Sequence, residues 1–153
     1  MKQYSDEQQM SVKSVSGKWK GTFKYGEGYG LRTNKSVDFT LELTEDDGEF
    51  TGFSRDVETE KVIKEPATVV GFWEEELISF TKYYACYFDM NEEGEIIVNR
   101  SKKHPEIIFS GEFNETEGRY TGDWEIPADS LQDSYESDLT MGRGTWEMSR
   151  VKE

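Results

Sequence analysis

The sequence predicts an all-β protein that folds as a single antiparallel up-and-down β-barrel of about eight to nine strands. Short segments alternate apolar and polar residues, and tight turns separate them. Eight of the 14 glycines are followed, two positions later, by an aromatic residue, whereas about two would be expected by chance at 14% aromatic content. Residues two apart lie on the same face of a strand, so these pairs place large rings beside missing side chains. This pattern predicts a strongly curved sheet that closes on an aromatic interior.

The first strands follow one another from residue 17. In residues 18–25, Trp19, Gly21, Phe23 and Tyr25 alternate with Lys18, Lys20, Thr22 and Lys24, so one face is mainly aromatic and the other mainly basic. Residues 37–44 alternate apolar and polar side chains. Both patterns are typical of half-buried strands. Asp46-Asp47-Gly48 predicts a hairpin turn that leads into a third strand over residues 49–57.

The later strands continue the same pattern. They are predicted over residues 67–73, 77–88, 96–98, 107–113, 119–126 and 144–148. Pro105 separates two of them, and Glu115-Thr116-Glu117-Gly118 predicts another hairpin. Consecutive hairpins form a meander, and closing a meander into a barrel removes its exposed edges.

The length of 153 residues fits one domain. Residues 1–16 are predicted to be a polar tail or a short helix, and residues 17–153 to form the barrel. The connections at residues 26–36 and 127–143 are long, and the second is acidic. A long acidic loop of this kind is either a lid or a simple connection.

The net charge of −14 argues against binding to nucleic acid or to an anionic membrane. It favours solubility or a basic protein partner. A single cysteine excludes an internal disulfide. Since no secretory signal and no transmembrane stretch are recognisable, we expect a cytoplasmic protein.

Gly17-Lys18-Trp19 and Arg150 stand at the two ends of the predicted barrel sequence. This arrangement resembles the calycin barrels, which include lipocalins, fatty-acid-binding proteins and avidins. The resemblance implies that Arg150 packs over Trp19 by a cation–π contact and closes one barrel end. The strand pattern is also similar to an uncharacterised group of bacterial proteins with Gly-x-Trp and Ser-Phe-x-Lys-x-Tyr strands.

Two calycin subfamilies differ from this chain at the residues that bind their ligands. Avidin-like chains share Gly48-Glu49-Phe50-Thr51-Gly52, but Lys20-Gly21-Thr22-Phe23 stands where they need Asn and Ser for biotin. Haem barrels of the nitrobindin type have a glycine where this chain has Phe23. Their haem also needs an axial ligand, and His104 is predicted to lie in an exposed turn. No cofactor is therefore expected.

Candidate metal and catalytic residues are few. Residues 89–96 match the start of a calcium loop, but Arg100 occupies the position of the bidentate glutamate, so a hairpin turn is the better interpretation. His104 and Cys86 cannot form a zinc site by themselves. Cys86 lies in an aromatic run with no evident activating group and is predicted to be a small buried residue. No catalytic or metal-binding residue is predicted.

Two strands carry polar residues that could enter the lumen. If Phe50 points inward, Ser54 and Asp56 do so as well; the other register turns Phe53, Arg55 and Val57 inward. The strand over residues 77–88 presents either the Tyr83 face or the Lys82 face. Sequence alone leaves both choices open.

The principal hypothesis is a non-enzymatic binder of a small apolar or aromatic ligand in the lumen. Its predicted ligand contacts are Trp73, Trp124, Ser54, Asp56 and Tyr83. The alternative is a protein-interaction module with a solid core, which uses its acidic surface and the loop at residues 127–143.

Overall fold

The computed structural model describes residues 14–26, 33–91, 93, 95–127 and 140–151. These residues form ten strands. They are β1 (Gly17–Tyr25), β2 (Ser36–Asp46), β3 (Glu49–Asp56), β4 (Ala67–Glu74), β5 (Leu77–Tyr83), β6 (Tyr87–Met90), β7 (Ile96–Asn99), β8 (Ile107–Asn114), β9 (Arg119–Pro127) and β10 (Thr140–Arg150). No described segment is a helix with the length and hydropathy needed to span a membrane.

Eight of the strands close into an antiparallel barrel in the order β1-β10-β9-β8-β5-β4-β3-β2. The predicted fold class is thereby confirmed. The remaining two strands, β6 and β7, pair only with each other and form a two-stranded ribbon between β5 and β8. The barrel is therefore a meander with one hairpin inserted at one of its ends.

Two predicted boundaries were wrong. The single strand expected over residues 77–88 is interrupted at Tyr84, Ala85 and Cys86, because β5 pairs with β8 while β6 turns away to pair with β7. Residues 140–143, expected in the long loop, begin β10 and pair with β9. The rest of that loop, residues 128–139, lies outside the described residues.

The glycine–aromatic pattern reflects the packing across neighbouring strands. Trp124 of β9 faces Gly144 of β10 in the strand register, and a Cβ added at Gly144 would lie 2.5 Å from Trp124 Nε1. A Cβ at Gly111 would lie 2.8 Å from Cζ2 of Trp146. The glycines therefore leave the space that these buried indoles fill.

One end of the barrel is sealed. The Trp19 indole donates a 2.9 Å hydrogen bond to the carbonyl of Val15, which is fully buried. The Arg150 guanidinium lies 4.5 Å from the Trp19 ring, so the contact implied by the calycin resemblance is present. The same guanidinium donates to the carbonyls of Ser14 and Ser16. Residues 14–16, expected to belong to a polar tail, are thus part of the closed end.

Candidate functional site

The opposite end of the barrel contains a cavity of about 360 Å³. Its walls come from inward side chains of the barrel and from the segments that flank the β6–β7 ribbon. The main lining residues are Phe23, Tyr25, Lys82, Tyr84, Phe88, His104, Ile107 and Phe109. The cavity is largely aromatic, with a few polar groups among the rings, which is the usual composition of a small-molecule site.

Lys82 is the most unusual of these residues because it is a charged side chain inside the barrel, with 1% of its surface exposed. Side chains alternate along β5, so the residues that point inward with it are Ile78 and Phe80. No hydrogen bond or ion pair joins the Lys82 ammonium to another described residue. Four rings surround Nζ instead, with centroid distances of 5.1 Å to Phe23, 5.6 Å to Phe39, 5.2 Å to Tyr84 and 5.1 Å to Phe109.

Two opposing electrostatic effects act on the pKa of Lys82. Burial disfavours the ammonium and lowers the pKa of Lys82, while the carboxylates of Asp56 and Glu58 act in the opposite direction. The surrounding ring faces also attract a cation. Since burial is the larger effect, Lys82 gives up its proton more readily than a surface lysine.

Asp56 ends β3 and points inward, with 2% of its surface exposed. Its register matches the buried Phe50 and Ser54, so of the two alternatives the Ser54 and Asp56 face is the inward one. The Asp56 carboxylate accepts hydrogen bonds of 2.8 Å from Thr59 N and 2.9 Å from Thr59 Oγ1. These bonds fix the turn that follows β3, as short polar side chains commonly do at turns.

Tyr84 connects the interrupted strand to Asp56. Its hydroxyl donates a 2.6 Å hydrogen bond to Asp56 Oδ2. Burial, followed by the nearby negative charge of Asp56, raises the pKa of Tyr84 well above its usual value, so the phenol stays protonated. A second phenol–carboxylate bond, 2.5 Å from the Tyr25 hydroxyl to Glu58, lies at the same end of the barrel.

Three rings, which we call the mouth cluster, pack at the rim of the cavity: Tyr84, Phe88 and His104. The ring centroids of His104 and Phe88 are 4.6 Å apart, and those of Tyr84 and Phe88 are 4.8 Å apart. The prediction of an exposed turn histidine was wrong, because the ribbon brings His104 against these rings. Burial lowers the pKa of His104, and the neighbouring Lys82 lowers it further.

The ribbon is also held by contacts outside the rings. Arg100, directly after β7, makes an exposed salt bridge of 3.2 Å to Glu65 in the loop after β3. The Lys102 ammonium lies 4.4 Å from the Tyr87 ring. At the far end of the ribbon, the Asn91 side-chain oxygen accepts hydrogen bonds from the backbone N–H groups of Glu93 and Glu95. The segment that resembles a calcium loop therefore contains a hairpin turn.

The residues predicted to contact a ligand lie in different places. Asp56 accepts a hydrogen bond from Tyr84, and Tyr84 lines the cavity. Ser54 is buried on the same face, and its hydroxyl has no hydrogen-bond partner among the described residues. Trp124 is buried behind Tyr25, with 5.8 Å between the ring centroids, and donates a 3.1 Å hydrogen bond to the Lys24 carbonyl.

None of the five predicted contacts is itself a lining residue of this cavity, and the remaining two lie farther from it. Tyr83 follows Lys82 and therefore points to the outer face of β5, where it does not line the cavity. Trp73 is on the inward face of β4, but it lies near the sealed end, where its backbone N–H bonds to Gly48. Of the four tryptophans, Trp19, Trp124 and Trp146 share the buried core, while Trp73 is only partly buried against it.

Sequence reasoning missed the importance of Lys82, Tyr84 and His104. The available signal was Ser-Phe-x-Lys-x-Tyr at residues 79–84, in which Phe80, Lys82 and Tyr84 share one face. His104 had no comparable signal, because its environment depends on the fold of the ribbon.

Other concave or ligand-like features are less suitable for an apolar ligand. A groove of about 470 Å³ crosses the outer surface of β1, β2, β3 and β10, but its side chains include the exposed Lys20, Asp38 and Arg55. In the part of the chain that the structure describes, no three His, Cys, Asp or Glu side chains are grouped so that they could hold a metal ion. Cys86 is buried, as expected.

No protein family, curated protein or solved structure matches this chain.

Proposed function

We propose that this protein is a non-enzymatic binding module that holds one small apolar or aromatic ligand at the open end of its barrel. The observation that carries the proposal is the 360 Å³ cavity, with aromatic walls and a buried ammonium. Eight-stranded barrels have room for side chains or for one small ligand. The resemblance to calycin barrels supports the same function, since those proteins hold ligands in this region of the fold.

The walls favour a flat ligand. A planar aromatic molecule would stack against the phenylalanine rings that line the cavity, which are Phe23, Phe88 and Phe109. The carboxylates of Asp56 and Glu58 offset the Lys82 charge, so the site has no strong preference for an anion. A neutral ligand with one hydrogen-bond acceptor is therefore the best match, and Lys82 is the donor that would orient it.

Isothermal titration calorimetry with 2-naphthalenemethanol tests the proposal. This probe is neutral and aromatic, and its oxygen can accept a hydrogen bond. For a ligand of this size we expect one site per chain with a Kd of about 10–100 µM.

Two tryptophan substitutions locate the site. Ile107→Trp places an indole in the cavity from β8 and should weaken binding at least about tenfold, since the probe and the indole compete for one space. If Ile107→Trp does not fold, Ile126→Trp replaces it, because this substitution places an indole at the rim of the same cavity. The control is Val70→Trp on the outer face of β4, where the side chain is half exposed. Undetectable binding to the native chain, or equal binding to all variants, would contradict the proposal.

A second candidate function is an interaction with another protein. Apolar side chains on the outer face of β3, β4 and β5 are half exposed: Phe53, Val70, Phe72 and Leu77. This patch, on a surface of strong negative charge, fits a partner with apolar and basic residues. Phe72→Ser should then abolish capture of the partner and leave the binding of 2-naphthalenemethanol unchanged.

A further inference from the structure

We propose that Lys82 captures aromatic aldehydes inside the barrel by forming an imine between Nζ and the carbonyl carbon. This inference rests on the proposed function, because the aldehyde must first occupy the same cavity. It adds a covalent step and a ligand class, namely aryl or conjugated aldehydes, to reversible binding.

The Lys82 amine is positioned to meet a carbonyl group in the cavity. Lys82 lines the cavity, its side chain is buried, and its Nζ is held among four rings at 5.1–5.6 Å. No described residue forms a hydrogen bond or ion pair with that nitrogen. A carbonyl group stacked between Phe23 and Phe109 would therefore meet an amine that has no competing partner.

The buried environment of Lys82 also favours the reactive form of its amine. Only the neutral amine is nucleophilic, and an ordinary surface lysine is almost entirely protonated near pH 7. Burial lowers the pKa of Lys82 and so increases its neutral fraction.

The reaction needs no other reagent. The Nζ lone pair forms a bond to the carbonyl carbon, and the π electrons of the carbonyl move to its oxygen. A proton passes from nitrogen to oxygen and gives a carbinolamine. The hydroxyl is then protonated and leaves as water while the C=N bond forms, and the resulting iminium nitrogen releases its proton, so that aldehyde and amine give imine and water with no net gain or loss of protons. Nothing is oxidised or reduced.

Two rings that carry polar groups lie near Lys82. The Tyr84 ring is 5.2 Å from Nζ, and its hydroxyl is bonded to Asp56. His104 contacts the Tyr84 ring, with 5.0 Å between the centroids. Burial lowers the pKa of His104, which favours the neutral form of the imidazole.

The charge balance favours an aldehyde over a carboxylic acid. Asp56 and Glu58 already provide negative charge at Lys82, and the chain as a whole carries −14. A carboxylate would enter against this field, whereas a neutral aldehyde meets no such barrier.

Reductive trapping tests the inference. The native chain is incubated with 2-naphthaldehyde at pH 7.5, reduced with sodium borohydride, and analysed by intact mass spectrometry and peptide mapping. We expect one naphthylmethyl group per chain, on the peptide that contains Lys82. Labelling should be faster at Lys82 than at the surface lysines, because the cavity holds the aldehyde beside Nζ and the lowered pKa leaves more of this amine neutral.

Lys82→Met should lose this label, whereas Lys24→Met, which removes an outward lysine of β1, should keep it. Labelling spread over surface lysines, or equal in native and Lys82→Met chains, would overturn the inference. Peptide mapping of the native chain decides the question even if Lys82→Met does not fold.

Two further probes separate the inference from the proposed function. If 2-naphthalenemethanol binds but 2-naphthaldehyde leaves no label on Lys82, the covalent step is wrong and the binding function stands. If 2-naphthoate binds more tightly than the alcohol and no imine forms, Lys82 is an anion-binding group and the inference is again wrong. If neither the alcohol nor the aldehyde binds, both proposals fail.

Discussion

The hydroxyl of Tyr84 donates a 2.6 Å hydrogen bond to Asp56 Oδ2, and so joins two segments that are 28 residues apart in the chain. This bond lies where β5 stops pairing with β8 and the chain turns into the ribbon. It fixes the Tyr84 ring beside Lys82 and beside the other two rings of the mouth cluster. This phenol–carboxylate pair therefore helps to set the shape of the cavity.

Tyr84→Phe should lower the free energy of unfolding by about 1.5–3 kcal/mol, the usual contribution of a hydrogen bond to a charged group. Asp56 keeps its two bonds to Thr59, so the fold should survive. Urea unfolding measures the change, with Tyr83→Phe as the adjacent outward control. A loss no larger than that of the control would show that the bond contributes little.

Lys82→Met should leave the free energy of unfolding unchanged or raise it by about 1–2 kcal/mol, because an apolar side chain replaces a buried ammonium. The lowered pKa of Lys82 adds a pH effect. The folded chain releases this proton at lower pH than the unfolded chain, so native stability should rise with pH in the range below 10.5, and Lys82→Met should remove that rise. A large destabilisation by Lys82→Met would instead make Lys82 a structural residue.

Acid should weaken the mouth cluster through His104. Its pKa in the folded chain is below 6.5, so its contribution to stability is present above pH 6.5 and is lost as the pH falls through the lowered value. Urea unfolding at about pH 7.5 and pH 5 should show a larger loss for the native chain than for His104→Phe. Identical losses would mean that His104 titrates as it does in the unfolded chain.

Tyr120→Phe should be neutral or stabilising by up to about 1 kcal/mol at pH 7, because the Tyr120 hydroxyl is buried and has no partner among the described residues. Burial raises the pKa of Tyr120 to about 12. The native chain therefore loses stability as the pH rises from about 10, the usual tyrosine value, towards 12. The advantage of Tyr120→Phe should grow across this range of alkaline urea unfolding curves, and a constant difference would contradict the raised pKa.

Gly144→Ala should destabilise the barrel by about 3 kcal/mol, because the new methyl group would lie 1.9 Å from the Lys24 carbonyl oxygen and 2.5 Å from Trp124 Nε1. Gly118→Ala is the matched control. Its φ of +71° is strained for alanine, but nothing lies within 4 Å of the added Cβ, so the expected cost is about 1 kcal/mol. Equal costs in urea unfolding would mean that the glycine–aromatic pairs are not a packing requirement.

The sequence predicted those parts of the fold that depend on local alternation. The strands, the hairpin at Asp47 and Gly48, and the barrel class follow from side-chain parity and turn residues. The alternation of side chains alone could not decide whether Phe53 or Asp56 points inward. The structure exposes the apolar residue and buries the charged one: Phe53 is 53% exposed and Asp56 is buried. The pairing of β3 with β2 and the bonds of Asp56 determine that choice.

The candidate site was less predictable because it depends on contacts between distant segments. Nothing near Tyr84 in the sequence indicates its bond to Asp56, and nothing near His104 indicates Phe88. The ribbon that brings these residues together interrupts what looks like one continuous strand. A buried lysine is also costly, so hydropathy patterns alone would place it outside.

Chemical-shift mapping with 2-naphthalenemethanol tests the central claim most directly, because it locates the ligand as well as detecting it. We predict that the largest backbone amide shifts in ¹⁵N spectra fall at Lys82, Tyr84, His104 and Phe109, and that the amides of Trp19 and Phe72 stay unchanged. Shifts confined to Phe53, Val70 and Phe72 on the outer face, or no shifts at saturating probe, would contradict a binding site inside the barrel.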